Sequence, residues 1–140
     1  MEDLSKKTAC SYASLSVVAL RLFLAWIFIT SGAGKLFGLL GGPGVSGFTG
    51  FLAKIGIPNP SIMAYVVGWS ELISGILLAA GFMTRAASVL IMIIMAVAIV
   101  KIHPHIPDFN YPAVVFLGAL VLLETGSGAF SIDKMIRGKK

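Results

Sequence analysis

The feature that most constrains this chain is a run of 29 residues, from Ile55 to Met83, in which Glu71 is the one charged side chain. Such a run is long enough to cross the hydrocarbon core of a bilayer, which takes roughly 20 apolar residues. A carboxylate inside a membrane span is costly unless it faces a partner or water, and it commonly marks a functional site. The run therefore predicts a membrane protein with Glu71 in its interior.

Composition supports the same class of protein. Of the 140 residues, 57% are hydrophobic and only 12% are charged, whereas a soluble domain has roughly 25% charged residues. The length suits one domain over residues 1–140. Cys10 is the single cysteine, which excludes an intrachain disulfide, a CxxC redox pair and a thiolate metal site. The net charge of +5 comes mainly from the tails and helix ends, which favours contacts with anionic lipid over nucleic acid.

Four apolar segments are predicted to cross the membrane, at about residues 14–37, 61–80, 85–102 and 110–128. They should be helices, because a chain in lipid has to satisfy its own backbone hydrogen bonds. We therefore predict an all-α fold, an integral membrane four-helix antiparallel bundle with a short interfacial helix between the first and second spans. In that helix Phe48, Phe51, Leu52 and Ile55 recur at helical spacing.

The distribution of basic residues predicts the topology. An even number of spans places both termini on one side, together with most of the lysines and arginines, including Arg85 in the turn between the second and third spans. The positive-inside rule then makes that side cytoplasmic. We expect a multi-pass protein of the plasma (inner) membrane with both termini in the cytoplasm. In that turn Gly81 should end the second span and Thr84 should be the N-cap of the third.

Glu71 lies on a stripe of small residues, which is the kind of surface on which membrane helices approach closely. Arg21 in the first span is expected at a similar depth and is the natural partner, with Glu124 somewhat shallower. A cluster of these three groups could hold a proton tightly. The same Arg21–Glu71 pair could instead be a structural lock that fixes helix register.

Other candidate residues have two interpretations each. Lys35 shares a face of the first span with Arg21 and could attract an anionic ligand or extend to the interface. Trp69 is two residues from Glu71 and could line an apolar pocket for a ring-shaped ligand. His103 and His105 could contact quinone or metal or belong to a polar loop at the outer mouth. No third ligand accompanies the two histidines, so no metal site is predicted, and their adjacency disfavours haem.

The order of several motifs resembles the DoxX family of small four-helix membrane proteins over nearly the whole chain. They begin with Arg21-Leu22 and Gly32 to Lys35, continue with Gly68-Trp69-Ser70-Glu71-Leu72 and Gly81-Phe82-Met83-Thr84-Arg85, and end with Gly126 to Asp133. Arg21, Glu71, Thr84 and Arg85 match the motif positions, whereas Glu124 and His103 lie outside the pattern. The resemblance implies a membrane partner of redox systems, since the family is associated with thiosulfate:quinone oxidoreductase, terminal oxidases, oxidative-stress complexes and detoxification.

The leading function hypothesis is a membrane subunit of a quinone-linked oxidoreductase or detoxification system. It would bind quinone or a small sulfur compound at a buried Arg21–Glu71 centre and take electrons from a redox-enzyme partner. The sequence shows no flavin fold, haem pair or Fe–S cysteine cluster, so it does not identify a cofactor that this chain would bind. The alternatives are a small-solute transporter or channel acting as a homo-oligomer, and a non-catalytic assembly scaffold.

Overall fold

The computed structural model describes residues 1–102 and 110–139, leaving out the side chains of residues 10–13. Each regular element in these ranges is helical. A 3₁₀ turn at Leu39–Gly41 follows the first helix. The α-helices are α1 (Glu2–Phe37), α2 (Gly44–Lys54), α3 (Pro60–Ala80), α4 (Thr84–Ile102), α5 (Asn110–Thr125) and α6 (Ile132–Arg137). Of the sequence candidates, His103 and His105 lie outside the described residues.

Among the described helices, α1, α3 and α4 are long and apolar enough to cross a membrane. α5 is also apolar but has 16 residues, so it rises about 24 Å at 1.5 Å per residue. A hydrocarbon core is roughly 30 Å thick. The all-helical, membrane-embedded character expected from the sequence is thus confirmed.

Two helix ends differ from the segments expected from hydropathy. α1 begins at Glu2 and includes the charged N-terminal residues, which form pairs at i,i+4 spacing between Lys6 and Glu2 and between Lys7 and Asp3. α5 ends at Thr125, because Gly126 takes a left-handed φ of 77°. The glycine-rich segment that follows it packs back onto α1 rather than continuing the helix.

Close backbone approaches set the antiparallel register of α1 and α3. A Cβ atom on Gly32 would lie 2.6 Å from the backbone nitrogen of Leu72, and one on Gly75 would lie 2.7 Å from that of Ile29. Only glycine fits such contacts without moving a helix. α3 also packs against α4, α4 against α5, and α5 against α1.

The apolar interior has two parts. The larger one joins α1, α3, α4 and α5, and its fully buried members include Phe28, Leu78, Ile91 and Leu122. The smaller one lies where α2 packs against α3, and its buried members are Phe48, Leu52, Ile55 and Ala64. The helical spacing of Phe48 and Leu52 therefore places α2 against the other helices, with Lys54 exposed on the opposite side.

Candidate functional site

Glu71 lies near the middle of α3 and is buried, with 2% of its surface exposed. The small residues around it are buried as well, namely Ala64, Gly68, Ser74 and Gly75. Val66 and Ile73, on other faces of the helix, are about half exposed. The small-residue stripe therefore faces the protein interior, as its composition predicted.

The partner of Glu71 is Lys35, near the end of α1. The Lys35 Nζ atom lies 2.6 Å from Oε1 and 2.7 Å from Oε2 of Glu71. The hydroxyl of Ser31 donates a further hydrogen bond of 2.8 Å to Oε2. Because three polar contacts surround the carboxylate, its charge is compensated within the apolar interior. We refer to Ser31, Lys35 and Glu71 as the polar triad.

Lys35 has a second interaction that holds its position. Its Nζ atom lies 5.0 Å from the centre of the Phe48 ring on α2, a distance at which a cation is attracted to an aromatic face. The Lys35 side chain is 23% exposed, against 2% for Glu71. The ammonium group thus lies where α1, α2 and α3 meet, and it is the more accessible member of the pair.

The predicted pairing of Arg21 with Glu71 is wrong. Arg21 lies beside Gly81, where a Cβ atom would be 2.9 Å from the arginine Nη1. Gly81 directly follows α3 and is ten residues beyond Glu71, which corresponds to about 15 Å along the helix axis. The depth estimate failed because it placed the start of α1 near residue 14, level with the end of α3. α1 instead begins at Glu2 and passes the end of α3 at Arg21.

Arg21 holds the segment after α5. Its guanidinium donates hydrogen bonds to the backbone carbonyls of Ser127 and Phe130, the second at 2.8 Å. About two helical turns before Arg21, the Ser14 hydroxyl accepts a hydrogen bond from the Ala129 amide at 3.0 Å. Arg21 is 3% exposed, so this buried arginine fixes backbone carbonyls rather than a carboxylate.

Two further sequence candidates lie away from the polar triad. Glu124 is exposed on α5, and in the described part of the chain it takes part in no salt bridge. Trp69 is 47% exposed and contacts Phe37 edge-on, with 6.1 Å between ring centroids. The predictions that Glu124 joins the Glu71 cluster and that Trp69 lines its pocket are therefore wrong. Trp69 follows Gly68 on the helix and turns away from the buried stripe.

A cavity of about 520 Å³ opens beside the polar triad. Its wall is formed by side chains of α1 to α5 and is mostly apolar, with Phe48, Met63, Val67 and Ile94 among its members. The polar side chains on the wall are Ser31, Lys35, Ser70, Glu71, Lys101 and Tyr111. An apolar cavity of a few hundred cubic ångströms with a few polar groups is the usual form of a small-molecule site.

A second, more open cavity of about 380 Å³ also borders Lys35. We call it the vestibule. Its wall includes the glycine-rich segment 39–43, and it shares Ile27, Ser31, Lys35 and Tyr111 with the first cavity. A Cβ atom on Gly42 would overlap the Cα atom of Gly34, so Gly42 has no space for a side chain. The close approach of Gly42 to Gly34 thus packs this loop against α1.

Comparison with known proteins places the chain in a family. The model of the DoxX family matches residues 16–104, which include α2, α3, α4 and the polar triad. The chain belongs to the DoxX family. It is 30% identical over 130 residues to a protein of Bacillus subtilis named putative oxidoreductase CatD, covering 90% of this chain and 91% of that one.

A second relative of this DoxX protein comes from Haemophilus influenzae and is described as an uncharacterized protein. The two are 30% identical over 135 residues, which cover 89% of this chain and 85% of the relative. No solved structure matches the chain. The family assignment therefore rests on sequence, and the arrangement of the polar triad rests on the geometry described above.

Two sequence motifs of this DoxX protein, Gly81 to Arg85 and Gly126 to Asp133, meet at the end of α3 opposite the vestibule. The Asp133 carboxylate accepts hydrogen bonds from the amides of Met83 at 2.9 Å and Thr84 at 3.1 Å. The Asp133 amide in turn donates to the Gly81 carbonyl at 3.1 Å. Asp133 therefore caps the start of α4, and the prediction that the Thr84 side chain does so is wrong. The Thr84 hydroxyl is buried with no hydrogen-bond partner among the described residues.

Sequence reasoning missed three members of the site, which are Ser31, Phe48 as the ring under Lys35, and Tyr111. Ser31 and Lys35 are one helical turn apart, so their spacing alone predicts a shared face. What the sequence could not supply is the register between α1 and α3. That register follows from the glycine contacts, which pair Gly32 with Leu72 and so bring Ser31 and Lys35 to Glu71.

Proposed function

We propose that this protein is a membrane subunit of an oxidoreductase system and that it binds a quinone in the apolar cavity beside the polar triad. The observation that carries the proposal is the coincidence of a largely apolar cavity of about 520 Å³ with a buried ammonium–carboxylate pair on its wall. The name of the Bacillus subtilis relative, a putative oxidoreductase, supports the reaction class.

The chemistry of the wall suits a quinone better than a small sulfur compound. A quinone has an apolar ring and tail that match the aliphatic and aromatic wall, and two carbonyl oxygens that accept hydrogen bonds. A sulfur oxyanion is compact and strongly hydrated, so it would gain little from apolar surroundings. Lys35 is the proposed donor to a quinone oxygen, because it is the more exposed member of the ion pair.

Glu71 is the proposed proton-handling group. Reduction of a quinone to a hydroquinone consumes two electrons and two protons, and oxidation releases them. A carboxylate held by Lys35 and Ser31 can accept or return one proton at a time, so the two protons would pass in successive steps. The electrons would come from a redox partner protein, since a chain with a single cysteine has no dithiol pair of its own.

The proposed membrane arrangement has α1, α3, α4 and α5 as four spans of the inner membrane. Both termini and the Gly81–Arg85 turn would be cytoplasmic, because most of the lysines and arginines lie there. α2 and the vestibule would then lie toward the outer surface. A homo-oligomer is compatible with the exposed apolar faces of α3 and α4 and is part of the proposal.

The test is to purify the protein in mild detergent and to quantify bound quinone in solvent extracts by mass spectrometry. The decisive comparison is between Val67→Trp, on the cavity wall, and Ile73→Trp, on an exposed face of the same helix. Val67→Trp should fill the cavity and lose the quinone, whereas Ile73→Trp should keep it. Equal quinone content in the two variants, or none in repeated wild-type preparations, contradicts the proposal.

A second function, transport of a small solute, is favoured by one observation. The apolar cavity and the vestibule both border Lys35 and Ser31, so movement of these two side chains could connect the two cavities. In proteoliposomes a transporter would show solute flux that Glu71→Gln changes, without added quinone or reductant. Quinone retention without such flux would favour the oxidoreductase role.

A further inference from the structure

The end of the protein that includes α6 contains a third, chemically different cavity. It has a volume of about 210 Å³ and lies between the start of α4, the glycine-rich segment after α5, and α6. Three cationic side chains, Arg85, Lys134 and Arg137, are on its wall, together with the carboxylate of Asp133. Cations thus outnumber carboxylates on this wall by three to one, and we call it the basic cavity.

Among the described residues, the positive charges of the basic cavity are only partly balanced. Asp133 is already engaged, because its two oxygens accept the amides of Met83 and Thr84. In the described part of the chain, none of the three cations takes part in a salt bridge. Lys134 and Arg137 are exposed. An unpaired cluster of this kind is a site for an anion with several acceptor oxygens, such as a phosphate group.

The surface next to the basic cavity is apolar. Phe130 is 85% exposed and Met135 is 70% exposed, and Ile132 and Ile136 are also exposed. An open groove between Ala80 and α6 includes Phe130, Ile132 and Met135, and it shares Lys134 with the basic cavity. Exposed apolar side chains beside unpaired cations are typical of segments that enter a membrane interface.

We propose that the basic cavity binds the headgroup phosphate of an anionic phospholipid of the adjacent leaflet, while the apolar groove takes the upper part of an acyl chain. A soluble anion would use the cations but would leave the apolar groove exposed. A lipid uses both, and Lys134 lies where its two parts join. The site would dock α6 to the membrane and is independent of the proposed quinone cavity.

The test is native mass spectrometry of the full chain with phosphatidylglycerol or phosphatidylcholine bearing the same acyl chains. Wild type should bind phosphatidylglycerol more tightly. Lys134→Gln/Arg137→Gln should lower that affinity by roughly ten- to thirtyfold, since each basic residue near a membrane contributes appreciably to anionic lipid binding. The matched control Lys6→Gln/Lys7→Gln removes the same charge from exposed residues of α1 and should retain the preference.

Four results would contradict the proposal. An unchanged preference in Lys134→Gln/Arg137→Gln would show that the basic cavity does not bind the headgroup. An equal loss in Lys6→Gln/Lys7→Gln would show diffuse attraction to a basic surface. Displacement of phosphatidylglycerol by inorganic phosphate, at matched ionic strength with sodium chloride, would identify a site for free anions. Met135→Gln should weaken phosphatidylglycerol binding, and an unchanged affinity there would exclude the apolar groove.

Discussion

The Lys35 ammonium lies within 2.7 Å of both carboxylate oxygens of Glu71, although the two residues are 36 positions apart in the chain. This contact joins the end of α1 to the middle of α3 at the wall of the apolar cavity of about 520 Å³. It replaces the arginine–glutamate centre expected from the sequence with a lysine–glutamate one. A lysine is the more adaptable donor for such a site, because its ammonium is a compact charge on a flexible stem.

The first prediction concerns the ion pair. Lys35→Met should leave the Glu71 carboxylate buried with Ser31 as its remaining partner, and breaking a buried pair in this way costs about 3 kcal/mol or more. The double variant Lys35→Met/Glu71→Met should recover much of the loss, because no uncompensated charge remains. Thermal unfolding in detergent measures both effects.

The same variants separate a structural lock from a ligand site. The double variant should be folded but should lose quinone, because both the proposed donor and the proton-handling group are absent. A double variant that is stable and retains full quinone content would show that the pair has a structural role alone.

The second prediction concerns Arg21. Arg21→Lys should loosen the segment after α5, because an ammonium cannot span the two carbonyls of Ser127 and Phe130 as a guanidinium does. Trypsin should then cleave faster at Lys134 and Arg137, while quinone content stays unchanged. The opposite result, lost quinone with an unchanged cleavage rate, would indicate that Arg21 belongs to the ligand site.

Much of this fold follows from hydropathy and residue size. The apolar runs define α3 and α4 within about a residue of their observed ends, since a membrane span is set by the length of its apolar segment. The burial of the stripe around Glu71 follows from its small residues. The partner of Glu71 does not follow, because both Arg21 and Lys35 lie on suitable faces of α1. Their depths relative to α3 depend on where α1 begins and on the glycine contacts.

The residue that caps α4 also could not be predicted from the local sequence. Thr84 has the right chemistry and position for an N-cap, and local sequence gives no reason to prefer another residue. Asp133, which is about 50 positions further along the chain, caps the helix instead, because the segment after α5 contacts the turn at Gly81. A contact between distant segments of this kind depends on tertiary structure.

The third prediction tests that cap. Asp133→Asn retains one acceptor oxygen in place of two, so the amide of Met83 or of Thr84 loses its hydrogen bond. The expected cost is about 1 kcal/mol, as for other lost N-caps. Thermal unfolding should show it as a lower midpoint. Thr84→Val, which removes a hydroxyl without a described partner, is the control and should be close to neutral.

The last prediction tests the register that creates the polar triad. Gly32→Ala places a methyl group 2.6 Å from the backbone nitrogen of Leu72, so α1 and α3 have to move apart and the contact between Lys35 and Glu71 lengthens. Overpacking of this kind costs about 1–3 kcal/mol.

The matched control is Gly50→Ala, an exposed helical position in α2 with no atom within 4 Å of the new methyl group. There alanine should stabilise the helix by roughly 0.5–1 kcal/mol. Opposite shifts of the unfolding midpoint, with quinone lost in Gly32→Ala and kept in Gly50→Ala, are the expected result. Equal behaviour of the two variants would contradict the close helix contact on which the site depends.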